Sequence, residues 1–198
     1  MLVLRVVMPR VGLNREKLIA TATAIADESG LASVSLHSLA RHYGVAAPSM
    51  YKHVKNLEDL QRAIAHEALV LFERALMSSR GSVTELAKAY RKFAASHPGL
   101  YETTQLPHLF ENPESKELSN RVVSHIAQVL PENLSSDDVI HQVRIVRSAL
   151  HGFVSLERSG GFGLPKSLDR SFDELCTALT VMTTLSGVSK KTQTKAQR

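Results

Sequence analysis

Nine histidines and one cysteine, Cys176, carry most of this chain's metal-binding and nucleophilic chemistry. Their spacing argues against both uses. His66-Glu67 is followed by Ala68-Leu69-Val70, so the HExxH zinc signature is absent. His37 and His42 are five positions apart, a poor spacing for one helix face. A single cysteine excludes an intramolecular disulfide framework and any multi-cysteine zinc site, and it fits a reducing cytoplasm. Cys176 lies on an apolar stripe and reads as a small buried hydrophobe. The run Gly160-Gly161-Phe162-Gly163 lacks the Gly-Lys-Ser/Thr of a nucleotide loop and reads as a turn. His97, next to Pro98, suits a helix end. His151 reads either as a cavity-lining group or as a hydrogen-bonded core histidine, and Tyr90 and Tyr101 as core or pocket. No catalytic residue, metal ligand or cofactor follows from these groups.

Binding is the chemistry that remains. The net charge of +5 mildly favours an anionic partner. Residues 34–60, VSLHSLARHYGVAAPSMYKHVKNLEDL, hold two short amphipathic segments around a glycine. Leu36, Leu39, Ala40 and Tyr43 recur at helical spacing behind the cap candidate Ser35. Gly44 stands where the first segment must stop, because glycine adopts the left-handed conformation without a clash. Val45 is expected to plug the angle between the helices. Pro48 suits the first turn of the second segment, from which Met50 and Val54 point inward together. The outer face of that segment is small, polar and basic. This is the pattern of a helix-turn-helix whose second helix reads DNA.

The elements that must position this unit are all helical, and no segment has convincing strand periodicity. The fold class expected is all-α, with about nine helices. A helix over 14–29 carries Leu18, Ala22, Ile25 and Ala26 and completes a three-helix unit with a core of Leu18, Ile25, Leu39, Met50 and Val54. The longest helix is predicted over 57–79, with an apolar seam of Leu57, Leu60, Ile64, Ala68, Leu71 and Ala75. Its first part closes the three-helix unit and its later part belongs to a second core, so it is the candidate coupling element. Further helices are predicted over 83–96, 100–106, 113–130, 136–158 and to about 186, the last capped by Asp169 or Ser171. The last two carry surplus apolar surface, which predicts a subunit interface made as a four-helix bundle. Its expected residues are Val143, Phe153, Phe172, Leu175, Leu179 and Met182. The organisation expected is a disordered leader at 1–11, a DNA-binding unit at 12–56, a helical ligand and dimerisation domain at 57–188, and a disordered basic tail at 189–198. No stretch is long and apolar enough for a membrane span.

The run GVAAPSMYKHVKNLEDL resembles the recognition-helix signature of the TetR-type transcriptional regulators, through Gly44, Val45, Tyr51, His53, Val54, Lys55, Asp59 and Leu60. The resemblance covers roughly residues 12–62. The C-terminal part is similar to the TetR-type ligand domain named for a Trp-His-Gly motif, through Leu150-His151-Gly152-Phe153, with leucine in place of the tryptophan.

The resemblance implies a homodimeric repressor that binds a palindromic operator and is released by a small molecule. It implies phosphate contacts from Tyr51 and His53, and backbone or base-edge contacts from Ser35 and His37. Ala46, Ala47, Ser49 and Lys52 would face the groove, the alanines offering only apolar contacts such as to a thymine methyl. Many relatives carry lysine where this chain has Leu57; either Lys55 takes over that phosphate contact or the contact is lost. The ligand pocket would draw on Tyr90, Phe93, Tyr101, Leu150, His151 and Phe153. Operator DNA, an effector and a second copy of the chain are the partners expected, and the protein is not expected to be an enzyme. The competing readings are a ligand-independent DNA binder and an enzyme using the C-terminal cavity.

Overall fold

Asn14 opens the first helix, its side chain accepting from the backbone N–H of Lys17 at 2.8 Å. The computed structural model describes residues 13–79 and 81–196. The expected leader lies outside them. Helix α1 (Arg15–Ser29) buries Leu18, Ala22 and Ala26, while Ile25 is only half-buried. Helix α2 (Leu36–His42) starts with a reciprocal cap between Ser35 and Ser38. It ends in a Schellman turn: Gly44 takes φ 64°, its N–H reaches Arg41 O, and the Val45 N–H reaches Ala40 O.

The second segment of the motif differs from the predicted α-helix. Ala47–Lys52 is a 3-10 helix. Ala46 offers no capping side chain and Pro48 no N–H, so this short segment tightens to i to i+3 bonds such as Ser49 to Ala46. Met50 and Val54 are buried as expected, but Val45 is 39% exposed and plugs nothing.

Helix α3 (Leu57–Leu76) is capped by Asn56 and buries Leu60, Ile64, Ala65, Ala68, Leu69, Phe72 and Leu76. Leu57 lies off this face and is exposed. Then come α4 (Val83–Ser96), α5 (Pro98–Thr103), α6 (Pro113–Ala127), α7 (Ser136–Arg158) and α8 (Leu168–Ala196). Among the described residues there are eight α-helices and no strand, and the 3-10 reader is the additional helix of the motif. Ser167, rather than Asp169 or Ser171, caps α8, accepting from the Arg170 N–H at 3.2 Å. The α8 backbone continues into the stretch whose composition predicts disorder, which holds no proline to end it.

All the buried hydrophobic residues from Leu18 to Leu179 belong to one cluster. Helix α3 runs through it, against α1 at one end and α4, α5 and α6 further along. A second link joins the two regions. The start of α5 abuts the end of α1 so closely that a Cβ on Gly99 would lie 1.8 Å from the Ala26 carbonyl oxygen. Asp27 clamps this contact, accepting from His97 Nδ1 at 2.6 Å and from the Leu100 N–H at 3.4 Å. Gly99→Ala should therefore force α1 and α5 apart. The expected cost is about 1–3 kcal/mol, read as a fall of roughly 3–10 °C in Tm; an unchanged Tm would mean the contact is not this tight in solution.

Candidate DNA-binding face and core cavity

The DNA-facing candidates surround one surface, anchored from below. Tyr51 is 60% exposed, and His37, Ala46, Lys52 and Lys55 are also exposed, whereas Ala47, Ser49 and His53 are half-buried. Met50 and Val54 hold this segment in the core between them. Ser35 is placed differently from its expected role. Its hydroxyl donates to Ser38 Oγ and accepts from the Ser38 N–H, so it is committed to the cap.

Two interactions that sequence spacing does not reveal set the tilt of this face. Tyr43, at the end of α2, donates to the Lys17 carbonyl at 2.9 Å and lies 2.6 Å from Thr21 Oγ1. Arg15 forms a fork with both carboxylate oxygens of Asp59, at 2.9 and 3.2 Å, and donates to the His53 carbonyl at 2.9 Å. Asp59 also accepts from the Lys55 N–H at 3.0 Å. The hydrogen bond from Arg15 holds the Asp59 carboxyl below the usual carboxylate range. One carboxylate thus fixes α1, α3 and the loop bearing Lys55. Arg15 and Asp59 lie far apart in the chain, so no local pattern announces the pair.

The pocket candidates divide into two groups. Tyr90, Tyr101 and His151 come together in a chain: the Tyr90 and Tyr101 hydroxyls lie 3.1 Å apart, and Tyr101 Oη is 2.6 Å from His151 Nδ1. His151 Nε2 points on to Ser155 Oγ at 3.5 Å. Burial raises both phenol pKa values, so both stay protonated at neutral pH. Leu150 is buried and Phe93 stacks on Phe72, with centroids 4.8 Å apart. Phe153 lies elsewhere. It packs against Phe162 and Phe172, with the Arg91 guanidinium over both Phe153 and Phe172. Arg91 in turn binds Glu157 and Asp169, which ties α4 to α7 and the start of α8.

Beside Tyr90 a small, partly open cavity of about 20 Å³ lies between Leu69, Phe72 and Leu76 of α3, Val122 and Ile126 of α6, and the exposed Arg147 of α7. Of the pocket candidates only Tyr90 lines it. Arg147 was not anticipated, although its i, i+4 spacing from His151 puts the two on one side of α7.

The expected interface needs correction. Val143, Phe172 and Leu179 are buried inside the protomer, and Phe153, Leu175 and Met182 are half-buried. The stripes that α7 and α8 turn to the core use these positions. Their outer faces instead expose Ile145 and Leu156 on α7, and Val181 and Leu185 on α8.

The model of the tetracycline repressor-like C-terminal domain matches residues 83–179. The uncharacterized HTH-type transcriptional regulator YobS of Bacillus subtilis is 33% identical over 156 residues, covering 75% of this chain and 81% of its own. The chain belongs to the TetR family of transcriptional regulators. Solved TetR-like folds agree with this. BioQ with its double-stranded DNA operator is 23% identical, covers 85% of this chain and 98% of its own, and superposes with a TM-score of 0.55. The Streptomyces coelicolor TetR family protein ActR in complex with actinorhodin is 16% identical, covers 88% and 98%, and superposes at 0.60. No helix of this TetR-family chain is long and apolar enough to cross a membrane among its described residues, and no group of His, Cys, Asp and Glu there is placed to hold a metal.

The polar chain makes a pH prediction. Burial, and secondarily the charge of Arg147, lower the His151 pKa. A depressed histidine stabilises the fold while neutral. That contribution is complete above the unfolded value of about 6.5 and is lost as pH falls through the lower folded value. His151→Gln should therefore flatten part of the decline in Tm between about pH 7 and 5. An unchanged pH slope would remove His151 from that decline.

Proposed function

We propose that the protein is a homodimeric repressor that grips a palindromic operator with its helix-turn-helix and lets go when a small molecule enters the C-terminal domain. The observation that carries the DNA-binding half is the exposed set Tyr51, Lys52 and Lys55 on a segment whose inner side, Met50 and Val54, is locked in the core. Phenol and ammonium groups donate to phosphate oxygens, and the small Ala46 and Ala47 let the segment approach the groove floor. His37 is the outward side chain at the start of α2 and stands ready for a base edge or phosphate. With so few base-reading side chains, part of the specificity is assigned to DNA shape. BioQ, bound to its operator, and ActR, bound to actinorhodin, support the two halves of this reading.

The dimer reading rests on the outer faces of α7 and α8. Ile145, Ala149, Gly152 and Leu156 follow helical spacing along α7, and Ala178, Val181 and Leu185 along α8. A symmetry mate would bury these stripes as a four-helix bundle. A catalytic role is not favoured, because both buried phenols are held protonated and the cavity beside them admits about one water molecule. A DNA-binding regulator acts where the genome is, which makes the cytoplasm its expected compartment.

Selection of binding sites from random duplex DNA is the decisive experiment. It should return an inverted repeat whose half-sites fall on successive major grooves, about 34 Å apart or more. Recovery of no preferred sequence, or of single half-sites only, would overturn the reading. On the selected operator, Lys52→Ala should weaken all sequences alike and lower the salt slope by about one unit. A loss confined to one base position would instead make Lys52 a base reader.

A further inference from the structure

The loop between the reader and α3, residues 53–56, lies outside any helix, and side chains hold it at successive groups. The His53 carbonyl accepts from Arg15 Nη1 at 2.9 Å, and the Lys55 N–H donates to Asp59 Oδ2 at 3.0 Å. The Asn56 side chain accepts from the Asp59 N–H at 2.8 Å. Asp59 takes part in two of these three bonds, and the Arg15 fork ties it to the third. It holds Lys55 by the backbone, which leaves the side chain of this exposed lysine to another anion. We infer that Asp59 is a positioning residue for operator binding: a carboxylate that strengthens the grip on a polyanion by aiming Lys55 at a phosphate.

The inference rests on the proposal that this face binds DNA, and it assigns one contact within it. Leu57 opens α3 with no side-chain group to donate, so Lys55 is the cation nearest in sequence to that helix end. A lysine on an unanchored loop gives up much of its contact to the entropy of ordering, whereas one on a loop already fixed does not. The cost of placing a carboxylate near phosphates is offset by its partner, since both Asp59 oxygens face the Arg15 guanidinium, at 2.9 and 3.2 Å. The hydrogen bond from Arg15 also keeps Asp59 ionised, so the clamp persists through the neutral range.

The sign of the effect separates positioning from charge alone. Removing a negative charge from a DNA-binding face raises the local positive field and should tighten binding. Removing one that aims a phosphate contact should weaken it. Glu58 is the neighbouring control. It is exposed, and its carboxylate pairs with Arg62 of its own helix at 2.7 Å. Loss of either acid changes the net charge equally, but of the two carboxylates only that of Asp59 binds the loop among the described residues.

Fluorescence anisotropy of the full-length protein on its selected operator, over a series of salt concentrations, tests the inference. Asp59→Ala should weaken binding roughly tenfold at about 0.1 M salt, the value of one phosphate contact, and lower the salt slope by about one unit. Glu58→Ala should leave binding unchanged or tighter, with the slope kept. Arg15→Lys keeps the net charge but cannot form the fork, and it should also weaken binding. Tm should hardly move in any of them, because the Arg15–Asp59 pair is solvent-accessible. Lys55→Ala should cost as much affinity as Asp59→Ala, and the double variant no more than either alone, because both remove the same contact. Equal or tighter binding by Asp59→Ala, an equal loss in Glu58→Ala, or losses at 55 and 59 that multiply would each overturn the positioning role and leave the DNA-binding reading standing. No binding of any duplex by the unaltered protein would overturn both.

Discussion

Helix α3 has one buried face and two neighbourhoods, and the rest of the molecule depends on that constraint. The helix packs against α1, while its buried Phe72 reaches the aromatic cluster with Phe93, Tyr90 and Tyr101. A close-packed interior does not let one end of such a helix shift while the other stays put. The contact between Gly99 and the Ala26 carbonyl closes a second path between the same two regions. The DNA-binding face is therefore held at two points, by α3 through the Arg15–Asp59 fork and by α5 through Asp27.

Polar groups within this frame do unequal work. The exposed Arg15–Asp59 pair contributes little stability on its own, of the order of 0–1 kcal/mol for a solvent-accessible bridge. Its value is geometric, because one carboxylate of α3 collects a guanidinium fork from α1 and a backbone N–H from the Lys55 loop. In the Tyr90–Tyr101–His151 chain the two phenols are buried, the imidazole is half-buried and each member is partnered, so the chain ties α4, α5 and α7 to one another.

The helix-turn-helix was legible because its signals are local. A cap at Ser35, a left-handed turn at Gly44 and the paired Met50 and Val54 each act within a few residues, and all fall where the spacing puts them. The same locality failed at the reader segment, where the missing cap and missing N–H around Pro48 favour a 3-10 helix. It failed again at the outer helices. Surplus apolar surface on α7 and α8 was visible, but three of the positions assigned to its outer side belong to the inner one. Val143, Phe172 and Leu179 face the core, and Ile145, Leu156, Val181 and Leu185 face outward. Hydrophobicity shows that two faces exist, and only packing shows which one the protomer uses first.

By itself the sequence determined the all-helical class, the helix order, the cap at Ser35 and the family signature, since these rest on short-range sterics, hydrogen bonding and periodicity. The tertiary structure alone decided which distant groups meet. Asp27 and His97, Arg15 and Asp59, and Tyr101 and His151 are brought together by helix packing, and no spacing rule links residues on separate helices. The tightness of the core cavity beside Tyr90 belongs to the same class. A void is a property of how the helices fill space, and the order of residues along the chain does not encode it locally.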